Sequence, residues 1–116
     1  IKVLLKTGFV DLNAKDKEGW TAVHYAACYG TVEVVTALLG RMPPSAVQAT
    51  TKSGANALQL VARNTAHGAG IIKALLKTGF VDINAKDKEG WTAVHYAARY
   101  GNSDTIIALI SSTQPL

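Results

Sequence analysis

The chain has 116 residues, 48% of them hydrophobic, and a formal charge of +4. That length makes one domain able to bury roughly two thirds of its surface, and the hydrophobic share excludes a disordered chain. The modest charge falls short of the clustered basic surface of a nucleic-acid binder, and no apolar run approaches a membrane span.

A single cysteine, Cys28, excludes an internal disulfide and favours a reducing, intracellular and cytoplasmic setting. The chain begins at Ile1, without a methionine or a signal-peptide pattern, and is read as an excerpt or a processed product.

In chain order, Ile1 to Lys6 predicts a solitary helix. Next, Thr21 stands where it can cap a helix whose apolar residues Val23, Ala26 and Ala27 fall at i, i+3 and i+4. Gly30 suits a tight turn. A second helix follows, with Val34, Val35, Leu38 and Leu39 as a wider apolar stripe before Gly40 and the Pro43-Pro44 stop. Further second helices are predicted over Ile71 to Leu76 and Thr105 to Ile110. Helices this short are marginal alone and must pack on neighbours.

The order is repetitive. Ile1 to Gly30 recurs 71 residues later as Ile72 to Gly101, differing only at Val3/Ala74, Leu12/Ile83 and Cys28/Arg99. Such identity reads as recent duplication or deliberate engineering. A weaker copy lies between: Lys52 to Ala62 follows Lys17 to Ala27 at about half that offset, and the third copy opens at Lys88.

Asp16-x-x-Gly19-x-Thr21-Ala22-Val23-His24-x-Ala26-Ala27-x-x-Gly30, followed by Val35-x-x-Leu38-Leu39, resembles the ankyrin repeat. The resemblance covers essentially the whole chain. It implies an all-α ankyrin-repeat solenoid of stacked helix–turn–helix units with one shared core. The units are 1–13 (a C-terminal half repeat), 14–48, a divergent 49–84, and 85–116.

Departures from the family pattern are local. Ala22 and Ala93 stand where the family starts its helix with proline. Asn56 and Gln59 replace Thr and His in the middle unit, whose longer 64–70 segment predicts an irregular inter-helix turn. The loops ending at Asn13 and Asn84 are one residue longer than the family's, with Phe9 and Phe80 expected to fill the space beneath.

No spacing suits a nucleophile, an acid–base pair, a zinc site or any other cofactor. The resemblance makes His24 and His95 structural. Cys28, replaced by Arg99 in the sister unit, is expected to be an inert surface thiol. The function implied is non-catalytic recognition of another protein through the turn tips and the first-helix surface.

By resemblance the contact residues are Lys15, Lys17, Glu18, Trp20, Cys28 and Tyr29, with Lys86, Lys88, Glu89, Trp91, Arg99 and Tyr100 in the last unit. The middle unit offers Thr50, Lys52, Ser53, Ala55, Arg63 and Asn64. For Trp20 and Trp91, packing over the adjacent turn competes with partner contact. The two tips should lie roughly 20 Å apart, a spacing suited to an extended or repetitive ligand.

Two alternatives stand beside this reading: a regulatory segment of a larger enzyme, and a structural module with weak head-to-tail self-association through its N-terminal face. Ser103 and Thr105, replacing Val32 and Val34, are expected to make the other end a polar cap. Asn13 and Asn84 are candidate β-hydroxylation sites, since Leu5 and Asp11, or Leu76 and Asp82, precede them in the pattern of asparaginyl hydroxylase substrates. An asparagine here also suits the loop by bonding nearby backbone.

Overall fold

The computed structural model describes residue 12 and residues 14–113, with side chains to Ser111. Among these it holds seven α-helices and no strand: α1 (Ala22–Tyr29), α2 (Val32–Leu39), α3 (Pro44–Val47), α4 (Ala57–Leu60), α5 (Gly68–Lys77), α6 (Ala93–Tyr100) and α7 (Ser103–Thr113), with a 3₁₀ turn at Val61–Arg63. The helix expected over Ile1 to Lys6, the space beneath Phe9, the N-terminal face and Asn13 lie outside the described residues.

First helices α1, α4 and α6 stack in one layer, and second helices α2, α5 and α7 in another. The core between them is continuous, running from Val23, Ala27 and Val35 through Leu58, Val61 and Ile71 to Ala97 and Leu109. Alanines on the first helices let the two layers approach closely.

Each first helix begins with the same device in different residues. The backbone N–H of Thr21 donates to His24 Nδ1 at 2.8 Å, and that of Thr92 to His95 Nδ1 at 2.9 Å. In the middle unit the Asn56 N–H donates to Gln59 Oε1 at 2.7 Å while the Gln59 N–H donates to Asn56 Oδ1 at 2.9 Å. The substitutions that mark this unit as divergent therefore preserve the capping box. Its irregularity lies further on, where α4 ends after four residues and tightens into the 3₁₀ turn.

Several sequence expectations need correction. Gly30 adopts φ −90°, an ordinary conformation; glycine is required there because a Cβ would lie 2.7 Å from the Ala26 carbonyl oxygen. Pro43-Pro44 starts a helix rather than stopping one: α2 already closes at Gly40, whereas Pro43 is the N-cap of α3 and Pro44 its first residue, and α3 buries Ala46 and Val47. The α2 stripe is narrower than its sequence suggests, since Val35 is buried but Val34 is exposed. Phe80 is exposed and does not fill the space beneath its loop. The polar C-terminal cap holds only in part: Ser103 is exposed, but Thr105 points inward at 0% exposure while Ile107 is 62% exposed.

Candidate functional site

The turn tips are built around Asp16 and Asp87. Asp16 Oδ1 accepts the backbone N–H groups of Glu18 and Trp20, each at 2.9 Å, and its other oxygen accepts the Tyr25 hydroxyl. Asp87 repeats this with Glu89, Trp91 and Tyr96. The Tyr25 hydroxyl and the Trp20 and Glu18 amides hold Asp16 below the usual carboxylate range. Desolvation opposes the shift at Asp87, yet Tyr96 and the tip amides still hold it low. In the middle unit Thr51 replaces the aspartate, and its Oγ1 accepts the Ala55 N–H at 3.3 Å.

The tips are tied to one another through the main chain. The Lys52 N–H donates to the Glu18 carbonyl at 2.9 Å, and the Lys88 N–H to the Ser53 carbonyl at 3.0 Å. Gly19 and Gly54 sit at φ +80° and +85°, and a Cβ on either would lie 3.0 and 2.9 Å from those donor nitrogens. Glycine here serves both the left-handed turn and the close approach.

Below the tips, side chains staple unit to unit. His24 is fully buried, and its Nε2–H donates to the Ala49 carbonyl at 2.9 Å. Since Nδ1 is already an acceptor, the ring is neutral, and desolvation holds its pKa below the ordinary value. Gln59 does the same for the next unit, donating to the carbonyls of Ala85 and Trp91 at 2.8 and 3.1 Å. The structural assignment of His24 follows from these bonds.

Asn64 Nδ2 reaches back to the carbonyls of Ala27 and Gly30 at 3.2 and 2.8 Å. Asn102 Nδ2 likewise reaches Ala62 and Asn64, at 3.3 and 3.2 Å. Both asparagines are buried staples that the sequence reading missed for this role. A signal was present, since each lies just after a first helix, where an amide can reach the carbonyls left open at the helix end.

Over this frame lie the residues expected to touch a partner. Lys15, Lys17, Glu18, Lys86, Lys88 and Glu89 are exposed at the tips. Tyr29 is 73% exposed and Tyr100 41%. Cys28 requires a correction: it is buried under Leu60, with its Sγ 3.6 Å from the Leu60 carbonyl, and burial pushes the thiol up to about 11. It is inert, but it is no surface residue. Ala55 and Asn64 are also buried and leave the contact set.

Trp20 performs the packing role considered for it. It packs against Cys28, Ala55 and Leu60, with the Tyr25 ring 4.9 Å away. Its face also carries Arg63, whose guanidinium carbon lies 5.9 Å from the Trp20 centroid and 5.7 Å from that of Tyr100. One cation thus joins aromatic rings of the first and last units. In the last unit Arg99 lies 5.4 Å over Trp91, and these two line a pocket of about 310 Å³ with Asp87, Glu89, Tyr96 and Tyr100. Asn84 is exposed in its turn; its N–H donates to Asp82 Oδ1 at 2.9 Å, so the aspartate performs the loop-bonding role considered for the asparagine. Among the described residues, no helix is long and apolar enough to cross a membrane.

The architecture agrees with comparison to known proteins. Residues 41–115 match the family model for ankyrin repeats (3 copies), and residues 1–39 the model for ankyrin repeats (many copies). The chain is 30% identical over 103 residues to alpha-latrotoxin-Lg1a of Latrodectus geometricus, a match covering 87% of this chain and 7% of the toxin. It is 27% identical over 112 residues to the tyrosine-protein kinase Shark of Drosophila melanogaster, covering 97% of this chain and 12% of the kinase. It thus spans a small part of the length of these curated relatives. Ankyrin repeats generally mediate protein–protein interaction, and with these models matched along its length the chain belongs to the ankyrin-repeat family.

Proposed function

We infer that this chain is a non-catalytic recognition module that binds a partner protein through its turn tips and first-helix surface, built from the units 14–48, 49–84 and 85–116. The observation that carries the reading is the Trp20–Arg63–Tyr100 stack, which spans three units and holds these side chains together across the proposed surface. Side chains held in this way lose little freedom on binding. Tyr29 and Tyr100 supply exposed aromatic area of the kind enriched at binding hot spots. A reducing intracellular compartment suits the lone, buried Cys28.

Crosslinking capture with the Tyr29→Ala/Tyr100→Ala double variant tests this surface. Tyr29 is exposed, and losing the Tyr100 contact with Arg63 costs only about 1 kcal/mol at such a surface, so the variant should stay folded with a slightly lowered melting temperature yet lose about tenfold or more in captured partner. Unchanged capture by a folded double variant would remove the surface assignment.

Two further readings have specific support. The near-complete coverage of this chain by a small part of a kinase favours a regulatory segment of a larger enzyme. The exposed Val94 and Ile107 favour weak self-association involving the α6–α7 end, with light scattering at rising concentration as its test. Asn84 is retained as a candidate hydroxylation site because its side chain is exposed.

A further inference from the structure

We propose that the surface carrying Arg63 and Arg99 takes an extended acidic segment in the polyproline II conformation, with carboxylates three residues apart. This rests on the reading of the chain as a protein-recognition module and names the chemistry of its ligand. Positions 28, 63 and 99 are equivalent in the three units, held by a buried cysteine and then by two exposed arginines.

Each guanidinium lies over aromatic rings, Arg63 over Trp20 and Tyr100 and Arg99 over Trp91. A guanidinium has five N–H donors, and among those of Arg63 a hydrogen bond to Tyr100 uses only part of the set. Neither arginine makes an ion pair among the described residues. The chain therefore presents two guanidinium groups with donors to spare, whose natural complement is a carboxylate held by paired hydrogen bonds.

Spacing selects the ligand's conformation. Equivalent positions in adjacent units lie about 10 Å apart, the distance between packed helices. A β-strand returns a side chain to the same face every two residues, near 7 or 13 Å, and matches neither. Polyproline II has three residues per turn and a rise of about 3.1 Å, which places positions i and i+3 on one edge about 9 Å apart.

The surrounding charge is consistent with an anionic ligand. Lys15, Lys17, Lys52, Lys86 and Lys88 are exposed along the tips. Asp16 and Asp87 are engaged by tyrosine hydroxyls and tip amides. Glu18 and Glu89 oppose an acidic ligand, and Glu89 lines the same pocket as Arg99.

The test uses two fluorescein-labelled peptides of one composition in anisotropy titrations. One is Glu-Pro-Pro-Glu-Pro-Pro-Glu; the other has its three glutamates contiguous, followed by four prolines. The spaced peptide should bind about tenfold more tightly. Arg99→Gln should abolish that preference, Arg99→Lys should restore charge without restoring it, and Glu89→Gln should tighten binding severalfold. Equal affinity for the two peptides, no effect of Arg99→Gln, or tighter binding of a single-stranded oligonucleotide than of the spaced peptide would overturn the proposal. If it falls while capture still depends on Tyr29 and Tyr100, the recognition reading stands and only the acidic chemistry is wrong.

Discussion

The first and last units share the sequence Asp-Lys-Glu-Gly-Trp-Thr-Ala-Val-His-Tyr-Ala-Ala after their aspartates' own lysines, yet they occupy different environments. Val23 is 0% exposed and Val94 40%; His24 is buried and His95 exposed. The turn, the capping box and the helix are the same in both, because each is closed by bonds within a few residues. Burial differs because the middle unit packs on opposite sides of the two copies: it follows the first and covers His24, whereas it precedes the last and leaves the equivalent face of His95 open. Local structure belongs to the segment, whereas burial belongs to its neighbour.

The histidines give the widest contrast. His24→Ala leaves the Ala49 carbonyl and the Thr21 amide unpaired beside a cavity, and should cost about 3 kcal/mol. His95→Ala loses only a helix-capping contact, for about 1 kcal/mol. Denaturant unfolding of the two variants measures the difference, and equal losses would break the comparison.

The tip glycines should separate in the same direction. Gly19 and Gly90 share a positive φ, but a Cβ at Gly19 would meet the Lys52 nitrogen at 3.0 Å, while nothing lies within 4 Å at Gly90. Gly90→Ala should cost about 1 kcal/mol for its backbone conformation alone. Gly19→Ala adds displacement of the next tip and should cost about 2–3 kcal/mol in the same assay.

The smallest effect is a pH dependence that sharpens the contrast. Burial lowers the native pKa of His24, so the unfolded chain takes up a proton at a higher pH than the native one. Its contribution to stability is present in full above about pH 6.5 and is lost as pH falls from there through the lowered native value. Glutamine fills the same role at position 59 without titrating. His24→Gln should therefore flatten stability between about pH 6.5 and 5, as read by melting temperature; an unchanged slope would assign the dependence elsewhere.

These contrasts also mark what could be read from sequence. Thr21, Val23, Ala26 and Ala27 disclosed their helix because caps and periodicity are local. Cys28 was misplaced because Arg99 in the sister unit suggested a surface position, and only the covering Leu60 makes it interior. Val34 and Thr105 exchanged expected surroundings, since polarity cannot report which way a helix faces once its neighbours differ. The Arg63 bridge joins rings 80 residues apart in the chain, beyond any motif. The proposed contact residues rest on position alone, through their place in the repeat.

The main-chain bonds between tips have a consequence for how such a surface can change. Thr51-Lys52-Ser53-Gly54-Ala55 shares only a lysine and a glycine with Asp16-Lys17-Glu18-Gly19-Trp20, yet it exchanges the same amide–carbonyl bonds with its neighbours. Stacking asks little of the side chains at the tips beyond the glycine. Those residues can drift toward a new ligand one substitution at a time while the register of the stack is inherited unchanged.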